Sequence, residues 1–260
     1  MRHSTVYTFI FAALICIVCG ILVSSAAVSL KEQQKFNAEL DKKKNVLQAA
    51  GLLQTGEAAD AARVDELFAN VKSIAVDMNA DQEDPNFDLT GYDQFKASQD
   101  PDRSFPAPEN ISAIKRVPNH AQIYKVMDAS GQLEQIVLPI EGLGLWGTLY
   151  GFLSVDADLQ TVRGITFYQH KETPGLGGEV DNPRWKAKWP GRKVYGQDLE
   201  SVQLQVIKGE APPADEAPYL VDGISGATIT ARGVSNMIDF WLGDRGFGPY
   251  IQTLRQQNAA

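Results

Sequence analysis

The sequence predicts an α+β protein: one N-terminal transmembrane helix, followed by a domain that mixes an antiparallel sheet with helices. Three observations predict it. Residues 5–30 carry no charged side chain. Residues 122–169 read as successive strands separated by short polar turns. Val234, Met237, Ile238 and Trp241 then fall at i, i+3, i+4 and i+7, the apolar face of a helix that Gly243 would stop. The expected partition is an anchor at 1–30, a helical stalk with an irregular accessory segment at 31–118, and a ligand-binding domain at 119–260.

At about 1.5 Å rise per residue, the uncharged run can cross a hydrocarbon core about 30 Å thick with some tilt. The competing reading is a cleaved signal peptide, because Ser24-Ser25-Ala26-Ala27 has the small residues of a cleavage site. Against it, a signal's apolar region runs about 7–15 residues, whereas 6–23 is unbroken and longer. Cys16 and Cys19 share one face of this helix, where small side chains packing against another membrane helix is the favoured reading over a metal or redox role.

From Lys31 the chain becomes charged and helical, and a second helical stretch is expected over about 60–76. Residues 79–110 are rich in Asp, Pro and Gln, and Asp84-Pro85, Asp100-Pro101 and Pro106-Ala107-Pro108 break any periodicity, so a long surface excursion is expected there. Strands follow at 122–126, 134–138, 148–156 and 162–169. Gly142, Gly144 and Gly147 imitate a dinucleotide fingerprint, but they lie inside a hairpin meander with no βαβ unit, so that fold is rejected. A short helix over 183–189, a strand over 202–207 and a Pro212-Pro213 linker complete the chain before its last motif.

Composition excludes several functions. With 24 basic against 32 acidic residues and no Lys/Arg-rich run, nucleic-acid binding is not expected. Both cysteines lie in the anchor, and His3, His120 and His170 show no ligand spacing. Redox chemistry in the soluble part would therefore need a borrowed cofactor.

The motif is Asp222-Gly223-Ile224-Ser225-Gly226-Ala227-Thr228. The Gly226-Ala227 pair is small enough for a bulky ligand to approach the backbone, and Thr228 stands at or just before a helix N-terminus. Unpaired amides and the positive end of the helix dipole suit a phosphate there, although an ordinary N-cap explains the four central letters equally well. Upstream, Glu172-Thr173-Pro174-Gly175-Leu176-Gly177-Gly178 forms a loop that is either a plain turn or a set of amides facing a ligand.

The seven-residue motif resembles the flavinylation motif in which FMN is joined through its phosphate to the last Thr. With its anchor and the 172–178 loop, the whole chain resembles the covalent FMN-binding subunit of bacterial sodium-translocating NADH:quinone oxidoreductases. That resemblance implies a covalent FMN on Thr228, attached from FAD by a separate magnesium-dependent flavin transferase. It also implies a cofactor site that includes Asp222, Ser225, Gly226 and Ala227, with Ser225 to Thr228 holding the phosphate. Trp146 and Leu176 would cover the ring faces, and Thr173 and the amides around Gly177 would bond its polar edge or ribityl chain; for the two apolar residues, core packing is the alternative. The chain would be one electron relay, with NADH and quinone bound by other membrane subunits. The flavinylated subunit of the related Rnf electron-transport complex, and a membrane-anchored sensory domain, are the other readings considered; the long 55–118 segment favours the first. The resemblance places the soluble domain in the periplasm of a single-pass inner-membrane protein. The charge count argues the other way, since Arg2 precedes the anchor and Lys31, Lys35, Lys42, Lys43 and Lys44 follow it, but that rule is weak for long domains. The expectation is an N-terminus inside and residues from 31 onward outside.

Overall fold

The computed structural model describes residues 4–54 and 56–259. Arg2, of the charge count, and His3 lie outside them. The chain divides into two compact units, residues 1–42 and 43–260. The first consists of most of helix α1 (Thr5–Ala49), which is long and apolar enough to cross a membrane. Its apolar side chains, among them Phe9, Ile10, Ile17, Leu22 and Val28, are all exposed. A helix apolar on every side with no protein covering it suits a lipid environment. Cys16 and Cys19 are free and exposed on it.

In the second unit, the expected helix over 60–76 is corrected. Asp60 caps α2 (Ala61–Phe68) by accepting a hydrogen bond from Arg63 N at 2.9 Å. The chain then extends into β1 (Val71–Asp77), which pairs antiparallel over its whole length with His120–Met127. Val71, Ile74 and Val76 are β-branched and lose rotamer freedom in a helix, so a sheet edge offering ladder partners outweighs the local helical spacing. The 79–110 segment is also more ordered than a surface excursion. It contains β2 (Gln82–Glu83), α3 (Gln94–Gln99) capped by Asp93, and β3 (Ser104–Pro106) paired with β4 (Arg116–Pro118). Asp77, Asp84, Asp88 and Asp100 each accept from the amide two residues on, so the acidic residues that read as loop are the ones that set its turns.

The remaining sheet strands are β5 (His120–Met127), β6 (Leu133–Leu143), β7 (Thr148–Asp156) and β8 (Val162–Gln169). Together they make a six-stranded antiparallel sheet in the order β2-β1-β5-β6-β7-β8, with β1 and β2 added to the expected meander. Gly142 closes the end of β6, and Gly144 and Gly147 occupy the β6–β7 turn, where Gly144 N bonds Gly147 O at 2.8 Å, in agreement with the rejection of a dinucleotide fold. A short helix α4 (Pro183–Lys186) and the parallel pair β9 (Gln205–Val206) and β10 (Leu220–Val221) follow. They lead to α5 (Thr228–Leu242) and α6 (Gly248–Ala259).

Val234, Met237, Ile238 and Trp241 of α5 join Ile123, Ile136, Leu138, Leu149 and Leu153 of the sheet in one buried core. Each such side chain contributes about 1.5–3 kcal/mol when fully buried. The opposite face is covered by the last turns of α1, where Val46, Leu47 and Ala49 are buried. A Cβ on Gly164 would stand 2.6 Å from Ala49 O, so a larger residue in β8 would push that helix end away. Gln135 Nε2 donates to Ala50 O at 3.2 Å and Gln135 Oε1 accepts from Ser154 Oγ at 2.6 Å, which satisfies the buried amide.

Candidate functional site

Two glycines set α5 against the end of β6. A Cβ on Gly233 would lie 2.3 Å from Leu143 O, and one on Gly142 would lie 2.6 Å from Met237 Cβ. The helix therefore starts beside the β6–β7 turn. Ala227 occupies its N-cap position without a side-chain cap, and the first hydrogen bond into the helix is Ala231 N to Ala227 O at 3.0 Å. Thr228 is the first helical residue, exposed, and its hydroxyl meets no partner among the described residues. The amides of Thr228, Ile229 and Thr230 likewise have no acceptor among the described residues, which is the arrangement that binds an anion.

The 172–178 loop reaches the same place. Gly226 takes φ +71, and a Cβ there would come within 2.8 Å of Leu176 Cδ2, so Leu176 lies over the motif. Thr173 O accepts from Leu176 N at 3.1 Å and from Gly178 N at 2.9 Å, which folds the loop back on itself. Trp146, on the β6–β7 turn, is 65% exposed, and Leu143, Leu145, Leu176 and Ile229 are exposed with it. These side chains form an apolar rim beside an anion-binding helix start.

Of the residues expected from sequence, Ser225, Gly226, Ala227 and Thr228 lie at the helix start, Trp146 and Leu176 on the rim, and Thr173 in the loop that carries Leu176, while Gly177 is buried against Glu172 and Thr230. Asp222 sits differently. Its Oδ1 accepts from Ala211 N at 3.1 Å, its Oδ2 faces Lys188 Nζ at 3.4 Å, and its carbonyl accepts from Trp185 Nε1 at 2.9 Å. Asp222 thus holds the motif's entry in place rather than leaving its carboxylate free.

Glu172 and Thr230 were given no part in the site by sequence reasoning. Glu172 is only 5% exposed; its Oε1 accepts from Leu145 N at 3.0 Å and Trp146 N at 2.9 Å, and its Oε2 from Thr230 Oγ1 at 2.5 Å. Gly144 and Gly177 are needed around it, since a Cβ on either would stand 2.6 Å and 2.3 Å from the carboxylate oxygens. An acid set among glycines in a loop was the available signal; its donors come from distant segments and could not be read locally.

The site suits a ligand with an anionic end and a flat apolar body. The described residues hold no cluster of metal-ligating side chains. A flavin mononucleotide fits the donor set: three free amides and a hydroxyl for the phosphate, an indole and aliphatic side chains for the ring. The fold and site define the class, a flavin-binding domain carried on a single apolar helix. The family model for the FMN-binding domain matches residues 144–243. The NqrC subunit of the Na(+)-translocating NADH-quinone reductase of Pseudomonas aeruginosa is 42% identical over 99% of both chains. The corresponding subunit of Vibrio alginolyticus is 42% identical, covering 92% of this chain and 91% of its own. The crystal structure of Shewanella oneidensis NqrC superposes with a TM-score of 0.76 at 29% identity, over 85% of this chain and 99% of that one. The same reductase subunit from Parabacteroides distasonis gives 0.65 at 25% identity, over 85% and 96%. The chain belongs to the NqrC family, one of the subunit families of Na(+)-translocating NADH-quinone reductases.

Proposed function

We propose that this chain is the FMN-carrying electron relay of a membrane-bound sodium-pumping NADH:quinone oxidoreductase, its flavin joined through the phosphate to Thr228 Oγ1. The observation that carries this reading is the exposed, unpartnered Thr228 hydroxyl at an uncapped helix start beside the rim of Trp146, Leu145, Leu176 and Ile229. Attachment requires a separate flavin transferase: the Thr228 oxygen bonds to the FMN phosphorus of FAD, the FAD pyrophosphate bond breaks, AMP leaves and the hydroxyl proton is released. The first-turn amides of α5 then hold the phosphodiester, and Ser225 adds a hydroxyl within the motif. Trp146 and Leu176 would cover the ring, and Thr173 and the amides around Gly177 would bond its polar edge or the ribityl chain. Asp222 keeps the motif's entry in register.

FMN supplies reversible electron transfer when bound, and a phosphoester leaves its ring electronically untouched, so tuning falls to these non-covalent neighbours. NADH and quinone are handled by other subunits of the complex. Residues 1–30 anchor the chain in the inner membrane, and the flavin is carried in the periplasm by a domain that takes in β1 and β2 of the 31–118 segment, because they complete the sheet of 119–260. The test is an intact-mass measurement with in-gel fluorescence of the denatured chain, made on Thr228→Ala and Thr230→Ala after expression with the transferase. Thr228→Ala should lose the flavin mass and the fluorescent band, and Thr230→Ala should keep both. A fluorescent band persisting in Thr228→Ala would refute the attachment.

A further inference from the structure

The proposed relay gives no role to Glu172, although it is the group that ties the site together. One carboxylate joins three segments: the β6–β7 turn through the Leu145 and Trp146 amides, its own loop, and the first turn of α5 through the Thr230 hydroxyl. Its own amide is held in turn, since Glu172 N donates to His170 Nδ1 at 3.2 Å and His170 Nε2 pairs with Asp181 Oδ2 at 2.7 Å. Burying a carboxylate is costly unless donors replace its water, and three charge-assisted bonds do so here. A group so expensive to bury is poorly explained as filler when the surrounding positions are glycines made to accommodate it.

The three tied segments are those that carry Trp146, the 173–177 loop and Thr228. We propose that Glu172 and Thr230 act as a clasp that positions the flavin, fixing the distance between the apolar wall at Leu145–Trp146 and the phosphate anchor at the start of α5. The inference rests on the FMN reading and goes beyond it. Phosphate and ring are held by different segments, and the ribityl chain between them has several rotatable bonds. A covalent anchor alone therefore leaves the ring mobile; its orientation must come from the fixed spacing of the walls. Releasing the clasp leaves the cofactor attached and its ring loosely held. Glu172 and Thr230 are positioning residues: they act through the turn and the helix start.

The test uses the full chain expressed with the flavin transferase and purified in detergent. Thr230→Val keeps the shape of the side chain but leaves Glu172 Oε2 without its donor. It should retain flavin by mass and melt as a folded protein, yet lose most of the visible circular dichroism of the flavin, show lower flavin anisotropy and be quenched by iodide several-fold more strongly. Thr230→Ser should restore all three signals. Glu172→Gln keeps the shape without the charge and should move the same signals less far, which carries the test should the valine variant not fold. Wild-type signals in both Thr230→Val and Glu172→Gln, or failure of Thr230→Ser to restore them, would overturn the clasp. A wild-type chain without flavin mass would instead overturn the function on which it rests.

Discussion

Two threonines two residues apart meet opposite environments. At about 100° per residue, positions 228 and 230 lie on nearly opposite sides of α5. Thr228 faces out, while Thr230 is 0% exposed and bonded to Glu172. On the proposed attachment in trans only the first is within reach, so burial, in addition to the motif's letters, would select the acceptor. The rim offers a second residue-level expectation. Trp146 and Leu176 are too exposed to be core residues, and a large exposed indole beside a ligand site is better explained by the ligand. Replacing either by Ala should leave the flavin attached and raise its fluorescence, because an aromatic quencher or a barrier to solvent is lost. Steady-state emission of the purified variants measures this; unchanged emission and unchanged redox behaviour in both would remove them from the pocket.

At the scale of elements, the seat of α5 on β6 decides where Thr228 stands. Gly233→Ala gains up to about 1 kcal/mol of helix propensity. It also drives a Cβ to 2.3 Å from Leu143 O, and overpacking of that kind costs about 1–3 kcal/mol. The thermal midpoint should therefore fall; a rise would mean that the end of β6 yields freely. Strand β6 also carries Glu141, opposite Tyr150, where burial raises its carboxyl to about 7. The folded state then binds a proton that the unfolded state releases near its ordinary value. Its contribution is fully present below that value and is lost as pH rises to about 7. Glu141→Gln should flatten the decline in stability across this window and stabilise the domain above it, by at most about 3 kcal/mol at 1.36 kcal/mol per unit. Denaturant melts at a series of pH values read this directly, and parallel curves for the two proteins would contradict it.

For the whole molecule, the deciding question is the side of the membrane. Lysines at 31, 35, 42, 43 and 44 follow the apolar run, which by charge count alone would keep the domain inside. Long domains translocate largely regardless of such charge, and a short basic start before an apolar run is the order of an export signal. Alkaline phosphatase fused after Ala260 should accordingly be active, because it needs periplasmic disulfides. An inactive fusion, with a fluorescent cytoplasmic reporter at the same junction, would reverse the topology and require attachment and reduction of the flavin inside the cell.

Much of this protein can be read locally. The anchor follows from an uncharged run, β7 and β8 from short apolar, strand-like runs on either side of a polar turn, and the start of α5 from small residues ahead of a helical spacing. Each signal lies within a single element, so no distant residue is needed to interpret it. Residues 71–77 fit a helix as well as a strand until the sheet edge at His120–Met127 is in place, and the acidic turns of 79–110 show their order only once β3 and β4 pair. Glu172 is the extreme case: its donors lie 27, 26 and 58 positions away. A buried carboxylate takes its meaning from the donors that replace its water, and folding alone brings those donors together.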